Sequence, residues 1–277
     1  VPAEPHIIDT LIAERAPRLT GSPLWPLLRP AVYAALGYRK ARAMVQAMDG
    51  MGGVQSMDYA SRMLDLKVTV VGARHIPPSG RVVIVANHPT GLADGVAVYD
   101  ALKPVRPDLL FFANSDAHRV NPRLAEIFIP VEWVEQKRTR ERARLTLKLA
   151  HEGFEAGRAL VIFPAGRISL SQHGRLTDPP WAPTAISLAR KYGAPILPLH
   201  VAGPPSTLFN LLDPISLELR DITLFHELLN KRGKAFTVTF GSPIPAEAIE
   251  DDSAAMTLRL KAYVERTLAT RPDEPFI

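Results

Sequence analysis

Beyond residue 65 the chain alternates short, continuous apolar runs with longer stretches in which apolar residues return every three or four positions. The runs fall at residues 66–71, 82–86, 109–112, 127–131, 159–163, 196–201 and 236–240, with Gly, Pro, Asn or Asp close to their ends. Their β-branched and aromatic content and the turn residues around them predict seven strands. Several are apolar at every position, the pattern of strands covered on both faces. Between them, residues 139–155 place Ala143, Leu147, Ala150 and Phe154 at spacings of four, three and four, predicting a helix whose apolar face packs on the sheet. Asp252 and Ser253 open a further helix running through Met256, Leu258, Leu260, Tyr263 and Leu268. Residues 1–64 read as helical, most clearly over 31–48, with Pro26, Pro30 and the glycines at 50, 52 and 53 as breaks. The expected fold is α/β, a mixed or mainly parallel sheet flanked by helices. It divides into a helical N-terminal region (1–64), a candidate for membrane association, and an α/β domain (65–277).

Composition narrows the function. A chain of 277 residues, 47% apolar and 22% charged, is long and apolar enough to bury one sizeable core. Its net charge of +5 favours acidic partners such as nucleic acid, anionic lipid, coenzyme A or an acidic carrier protein. No nucleic-acid-binding module accompanies the charge, so nucleic acid is not an expected partner. The absence of cysteine excludes disulfides, thiolate metal sites and a cysteine acyl-enzyme. His6, His75, His118, His151, His173, His200 and His226 show no metal-ligand spacing, and no metal is expected. No run approaches the roughly 18 apolar residues of a membrane span. The chain opens on Val1, so its first residue is not taken as the native start.

The most informative segment is RVVIVANHPTGLADG, residues 81–95, where an apolar strand ends in Asn87 and His88 and leads through Pro89 and Gly91 to Asp94. A strand end holds a polar group on a rigid scaffold, and Pro and Gly impose the turn that folds the chain back. A neutral imidazole can take a proton from an alcohol while a carboxylate fixes its tautomer and stabilises the imidazolium that forms. No G-x-S-x-G elbow occurs, so direct attack by an acceptor hydroxyl fits better than an acyl-serine. Two readings of Asp94 stay open here: partner of His88, or cap of the helix that begins beside it.

A second motif, Val161-Ile162-Phe163-Pro164-Ala165-Gly166, again breaks a buried strand at Pro and Gly and is followed by Arg167 and Ser169. A third strand reaches Ile196-Leu197-Pro198. Together these resemble the glycerolipid (lysophosphatidic-acid type) acyltransferase superfamily over about residues 65–245, and NHPTGLADG, FPAGRIS and HGRLTDPPW are similar to its putative-hemolysin or lysolipid acyltransferase branch. The resemblance implies O-acylation of a lysolipid hydroxyl by acyl-CoA or acyl carrier protein, with no permanently bound cofactor. His88 would be the general base and Asp94 its partner. Pro164, Gly166 and Arg167 would lie against the substrate. The implied location is cytoplasmic, peripheral on the inner face of the cell membrane.

Two departures bear on the acceptor. Five residues separate His88 from Asp94 where the family has four, and Gly91 can absorb the extra one at positive φ. Ala165 replaces the family's glutamate, and Pro130-Val131-Glu132 stands where many members carry a phosphate-binding arginine. Arg167 can compensate, since a guanidinium grips phosphate or carboxylate bidentately. The basic run 137–144 offers Lys137, Arg140 and Arg144 on one helix side to coenzyme A phosphates or an acidic carrier protein, or else to solvent. Leu24, Trp25, Leu27, Leu28 and Arg29, with Tyr33, Tyr38, Arg39, Lys40 and Arg42, mix apolar, aromatic and basic groups suited to an anionic lipid surface, or to core packing. Beside lysophosphatidic acid, lyso-ornithine lipid or another lyso-aminolipid is an alternative acceptor. A lipid-binding module without turnover and a carrier-protein docking partner are the alternatives from other classes.

Overall fold

The computed structural model describes residues 5–132, 139–172 and 175–277. Five helices come first: α1 (Ile7–Arg15), α2 (Pro17–Thr20), α3 (Trp25–Ala35), α4 (Tyr38–Ala47) and α5 (Gly53–Leu64). Then follow β1 (Lys67–Val71), β2 (Val82–Ala86), α6 (Leu92–Leu102), β3 (Leu109–Asn114), α7 (Asp116–Val120), β4 (Phe128–Val131), α8 (Arg140–Glu155) and β5 (Ala159–Ile162). A short hairpin, β6 (Leu170–Gln172) and β7 (Arg175–Thr177), precedes α9 (Thr184–Lys191) and β8 (Ile196–Ala202). The chain continues through α10 (Thr207–Leu212), α11 (Leu217–Asp221), α12 (Leu224–Leu229), β9 (Ala235–Phe240) and α13 (Ser253–Ala262), which runs into a π-helical turn, Tyr263–Thr267.

Seven strands form one sheet in the order β1-β9-β8-β2-β5-β3-β4. Every neighbouring pair is parallel except β8 with β9. All seven predicted strands are present, and the mixed, mainly parallel sheet is as expected. The pleat sends alternate residues of each buried strand into different helical layers. Val82, Ile84 and Ala86 of β2 and Ala159 and Val161 of β5 join one core with Ile8, Met44, Met57 and Val98. Val83, Val85, Leu160 and Ile162 join the other with Phe154, Ala185, Met256 and Leu260. β2 lies between β8 and β5, and its last residues, Val85 and Ala86, pair with buried residues of both, Ile162 of β5 and Pro198 and Leu199 of β8.

Three helical expectations are corrected. Residues 31–48 are not one helix: Gly37 at φ 68° breaks them into α3 and α4. The break lets α4 bury Ala41, Met44 and Val45 while α3 buries nothing fully. Tyr33 and Tyr38 stack across it at 4.1 Å and both donate to Asp9, at 2.6 and 2.7 Å. The helix predicted over 139–155 is present as α8, with Thr139 as its N-cap, but only the last two turns pack inward, through Ala150, Gly153 and Phe154. Ala143 and Leu147 are exposed, because the first turns are tied to the end of β4 by polar bonds, Thr146 Oγ1 to the Pro130 carbonyl at 2.6 Å among them. Leu258 of α13 is exposed while Met256 and Leu260 are buried. It sits two residues from each, about 200° around the axis.

Candidate active site

The site begins where β2 leaves the sheet. Asn87, buried, replaces the next rung of the ladder with its side-chain amide: Nδ2 donates to the Val201 carbonyl at 3.0 Å and Oδ1 accepts the Val201 N–H at 2.7 Å. The backbone is thereby free to turn, and His88 follows at the strand tip. Val85 of β2 is in register with Ile162 of β5, so the neighbouring strand ends at the same level. Its continuation, Phe163, stacks on the His88 ring with centroids 4.5 Å apart.

Asp94 unites the two roles left open by the sequence. Oδ2 accepts from His88 Nδ1 at 2.9 Å, from Thr90 N–H at 2.8 Å and from Gly91 N–H at 2.9 Å; Oδ1 accepts the Thr90 hydroxyl at 2.6 Å. Gly91 is the N-cap of α6 and Asp94 its N3 residue, so one carboxylate caps the helix and binds the histidine. The Asp94 side chain is fully buried, whereas that of His88 is 17% exposed, with Nε2 left for a substrate. The five intervening residues fit because Gly91 adopts φ 88°, ψ −138°; a Cβ there would lie 2.7 Å from Ile168 Cδ1.

A second carboxylate supports the same loop. Asp178, buried, accepts the His88 backbone N–H at 3.1 and 3.2 Å, Trp181 Nε1–H at 2.8 Å and the Ser169 hydroxyl. Ser169 N–H in turn donates to the His88 carbonyl at 2.9 Å. Burial pushes the Asp178 carboxyl above the ordinary carboxylate range, against the pull of the bonds from Ser169, Trp181 and His88. The C-terminal turn closes behind it, Glu265 accepting the Asp178 N–H at 2.7 Å.

The remaining predicted residues fall around this centre or away from it. Pro164 and Gly166, the latter at φ 63°, form the turn that follows β5, and the Pro164 carbonyl accepts the Ala182 N–H at 3.0 Å. Arg167 is exposed on that turn, with no partner among the described residues. Arg140 and Arg144 are exposed on the first turns of α8, and no contact joins them to His88; Lys137 and His173 lie outside the described residues. Asp116 and His118, two residues apart in α7, have separate partners: Asp116 binds Arg15 and Arg119, and His118 Nε2 meets the Phe128 carbonyl at 3.1 Å. Among the described residues, no cluster of His, Asp and Glu is arranged to hold a metal.

Comparison of the sequence with known proteins identifies the family. The family description "Acyltransferase" matches residues 67–202. A lyso-glycine lipid O-acyltransferase of Bacteroides thetaiotaomicron is 30% identical over 204 residues, covering 72% of this chain and 73% of that protein. One of the same description from Phocaeicola vulgatus is 29% identical over 205 residues, covering 72% and 71%. The chain belongs to the acyltransferase family. The crystal structure of the 1-acyl-sn-glycerophosphate (LPA) acyltransferase from Thermotoga maritima superposes with a TM-score of 0.49 at 17% identity, covering 94% of this acyltransferase and 97% of that chain.

Several residues that build the acyltransferase site went unread in the sequence. Thr90 contributes two of the bonds to Asp94, and its carbonyl accepts from Ser206 Oγ at 2.9 Å. Asn210 of α10 accepts the Ser171 N–H at 2.7 Å. α10 is itself held by a buried pair on the far side: Glu227 accepts the Phe209 N–H at 3.1 Å and binds Lys231 at 2.9 Å. Thr90 has a visible signal, a hydroxyl four residues before the aspartate. Ser206 and Asn210 have none, because they arrive from a distant segment.

Proposed function

We propose that His88 is the general base, and Asp94 its supporting carboxylate, in the transfer of a fatty acyl group from acyl-CoA or acyl carrier protein to a lysolipid hydroxyl. The observation that carries this reading is the 2.9 Å bond from His88 Nδ1 to a fully buried, fourfold-bonded Asp94. With Nδ1–H committed to the carboxylate, Nε2 presents its lone pair outward. The acceptor hydroxyl gives its proton to Nε2 as its oxygen attacks the thioester carbonyl. Collapse of the tetrahedral intermediate breaks the C–S bond, and the imidazolium returns the proton to the departing thiolate. Pro164, Gly166 and Arg167 bound the acceptor side of this reaction, and Arg140 and Arg144 offer charge to an acidic donor.

Two exposed apolar sets support membrane contact. Leu24, Leu27 and Leu28 project from the start of α3, Leu27 at 78% exposure, with Arg29, Arg39, Lys40 and Arg42 exposed along α3 and α4. Leu211, Ile215 and Leu217 are exposed on α10, α11 and their connection, a segment bonded to the active-site loops. No helix among the described residues is long and apolar enough to cross a membrane. In this reading residues 1–64 seat the 65–277 acyltransferase unit peripherally, on the inner face of the cell membrane.

The acceptor panel follows from Ala165 and Pro130, which cannot supply the charged contacts expected for glycerol phosphate. Lysophosphatidic acid is therefore tested beside lyso-aminolipids, the two curated relatives being named for a lyso-glycine lipid. The protein is incubated with each acceptor and either donor, and products are read by mass spectrometry. An acylated lysolipid is expected, with turnover reduced roughly 10²-fold or more in His88→Ala. Full activity in folded His88→Ala removes the mechanism. Lipid binding without product from any acceptor favours a non-catalytic module.

A further inference from the structure

His88 is faced by two carboxylates. Asp94 bonds its ring, and Asp178 bonds its backbone. Asp178 has no ion-pair partner among the described residues; its own partners are the His88 N–H, the Trp181 indole and the Ser169 hydroxyl, all neutral. Holding N–H groups does not require a charge, since an amide or a backbone carbonyl would do so without the desolvation that a buried carboxylate incurs. Burial works against a negative charge at this place, and a carboxylate rather than an amide is explained if a positive charge appears next to it during turnover.

We propose that Asp178 is a positioning residue for acyl transfer, fixing the His88 main chain and providing a second negative charge that stabilises the imidazolium. This rests on the reading of His88 as the general base. The His88 N–H and Trp181 Nε1–H have no lone pair to offer, so both oxygens of Asp178 are used as acceptors; only Ser169 could accept in return. Protonated His88 also favours the charged form of Asp178, in opposition to burial. Among the described residues, the other ionisable groups bonded to the pair are Asp94 from α6 and Glu265 from the C-terminal turn, which accepts the Asp178 N–H and is itself bound to Lys261. Glu265 is paired to Lys261 at 2.6 Å, so among the described residues Asp94 and Asp178 are the carboxylates bonded to His88 and neither has a Lys or Arg partner.

Asp178→Asn tests this, because the amide oxygen in the Oδ2 position keeps the Trp181 bond and the longer of the two His88 contacts while its NH2, in the Oδ1 position, donates to Ser169. The expected result is an acid limb of the kcat/KM pH profile displaced downward by roughly one pH unit, since an imidazole that loses a neighbouring anion is harder to protonate. The plateau kcat falls about tenfold for the same reason, with acceptor KM unchanged. Ser169→Ala, which removes a bond but keeps the charge, should leave the acid limb in place. A slow Asp178→Asn protein with an unmoved acid limb would show a purely structural role and overturn the proposal. If that variant does not fold, ¹³C NMR of aspartate-labelled unmodified protein decides the matter. Asp178 is expected to stay ionised throughout the active pH range and to sense the His88 titration; a protonated Asp178 in that range overturns the proposal. An active His88→Ala protein would instead remove the general-base reading beneath it.

Discussion

Asp94→Asn separates the charge of the His88–Asp94 pair from its geometry. Three N–H groups converge on Oδ2, from His88 Nδ1, Thr90 and Gly91, whereas Oδ1 meets only the Thr90 hydroxyl. An asparagine therefore settles with its carbonyl oxygen in the Oδ2 position and its NH2 in the Oδ1 position, where the hydroxyl of Thr90 turns to accept. The histidine keeps its tautomer, the helix keeps its cap, and the negative charge is lost. A carboxylate in contact with an imidazolium stabilises it by about one to three pKa units, or roughly 1.4–4 kcal/mol. A central value of about 2.7 kcal/mol corresponds to a fall of roughly 10² in kcat. KM should not change, because Asp94 is fully buried.

The assay is steady-state turnover with the best acceptor of the panel, together with thermal unfolding. Asp94→Ala is the contrast: it strands the buried Thr90 and Gly91 N–H groups and frees His88 Nδ1, a loss of about 2–6 kcal/mol, and should lower Tm by several degrees. Asp94→Asn should leave Tm nearly unchanged. Turnover within about threefold of the parent in folded Asp94→Asn would refute the electrostatic role. Equal losses of Tm in the two variants would refute the deduced amide orientation.

Gly91→Ala is expected to destabilise the protein by about 2–4 kcal/mol, from the positive φ and from the 2.7 Å approach to Ile168. Adding Ile168→Val, which removes the Cδ1 atom, should restore part of that loss by denaturant titration; no restoration would mean the contact is not the cause. Burial holds the His200 imidazole below its ordinary value of 6.5, and its enclosed Nδ1 has no hydrogen-bond partner among the described residues. The unfolded chain then binds a proton that the folded protein refuses, so stability is complete above about pH 6.5 and declines as pH falls below it. His200→Phe should flatten this slope between pH 8 and pH 5.5 in urea melts, and an unchanged slope would assign it to other groups. Leu27→Ser with Leu28→Ser should reduce co-sedimentation with anionic vesicles while preserving turnover on detergent-dispersed acceptor. Unaltered sedimentation would remove α3 as a membrane contact.

The strands were legible because their signal is local: β2 and β5 are apolar at every position, and a parallel strand covered on both faces has no other way to be written. The break at Gly37 was less so, since α3 and α4 are each helical and only the tertiary contact of Tyr33 and Tyr38 with Asp9 shows why the chain turns there. In α8 the spacing of apolar residues was right and the extent of burial was not, because periodicity identifies a face and cannot say how much of it meets the sheet. The hairpin of β6 and β7 is too short and too polar to carry a strand pattern. Its importance lies in delivering Asp178 to His88, ninety positions away in sequence.

The candidate site repeats the same division. His88, Asp94 and the Phe163–Arg167 turn could be named because each sits within a few residues of a strand end. In the sequence, the extra residue between His88 and Asp94 sets pairing with the histidine against helix capping, because spacing alone offers one carboxylate one purpose. The geometry removes the conflict: the donors at the start of α6 converge on Oδ2 and fix the carboxylate where it can also accept from the imidazole. Capping is therefore the means by which Asp94 is aimed, and the added length supplies the Gly91 turn that makes the convergence possible. In this protein the helix start and the His88–Asp94 pair form one structural unit, so, if the pair carries the proton transfer as proposed, a perturbation of either should appear in both stability and turnover unless, as in Asp94→Asn, every hydrogen bond is kept and only the charge is removed.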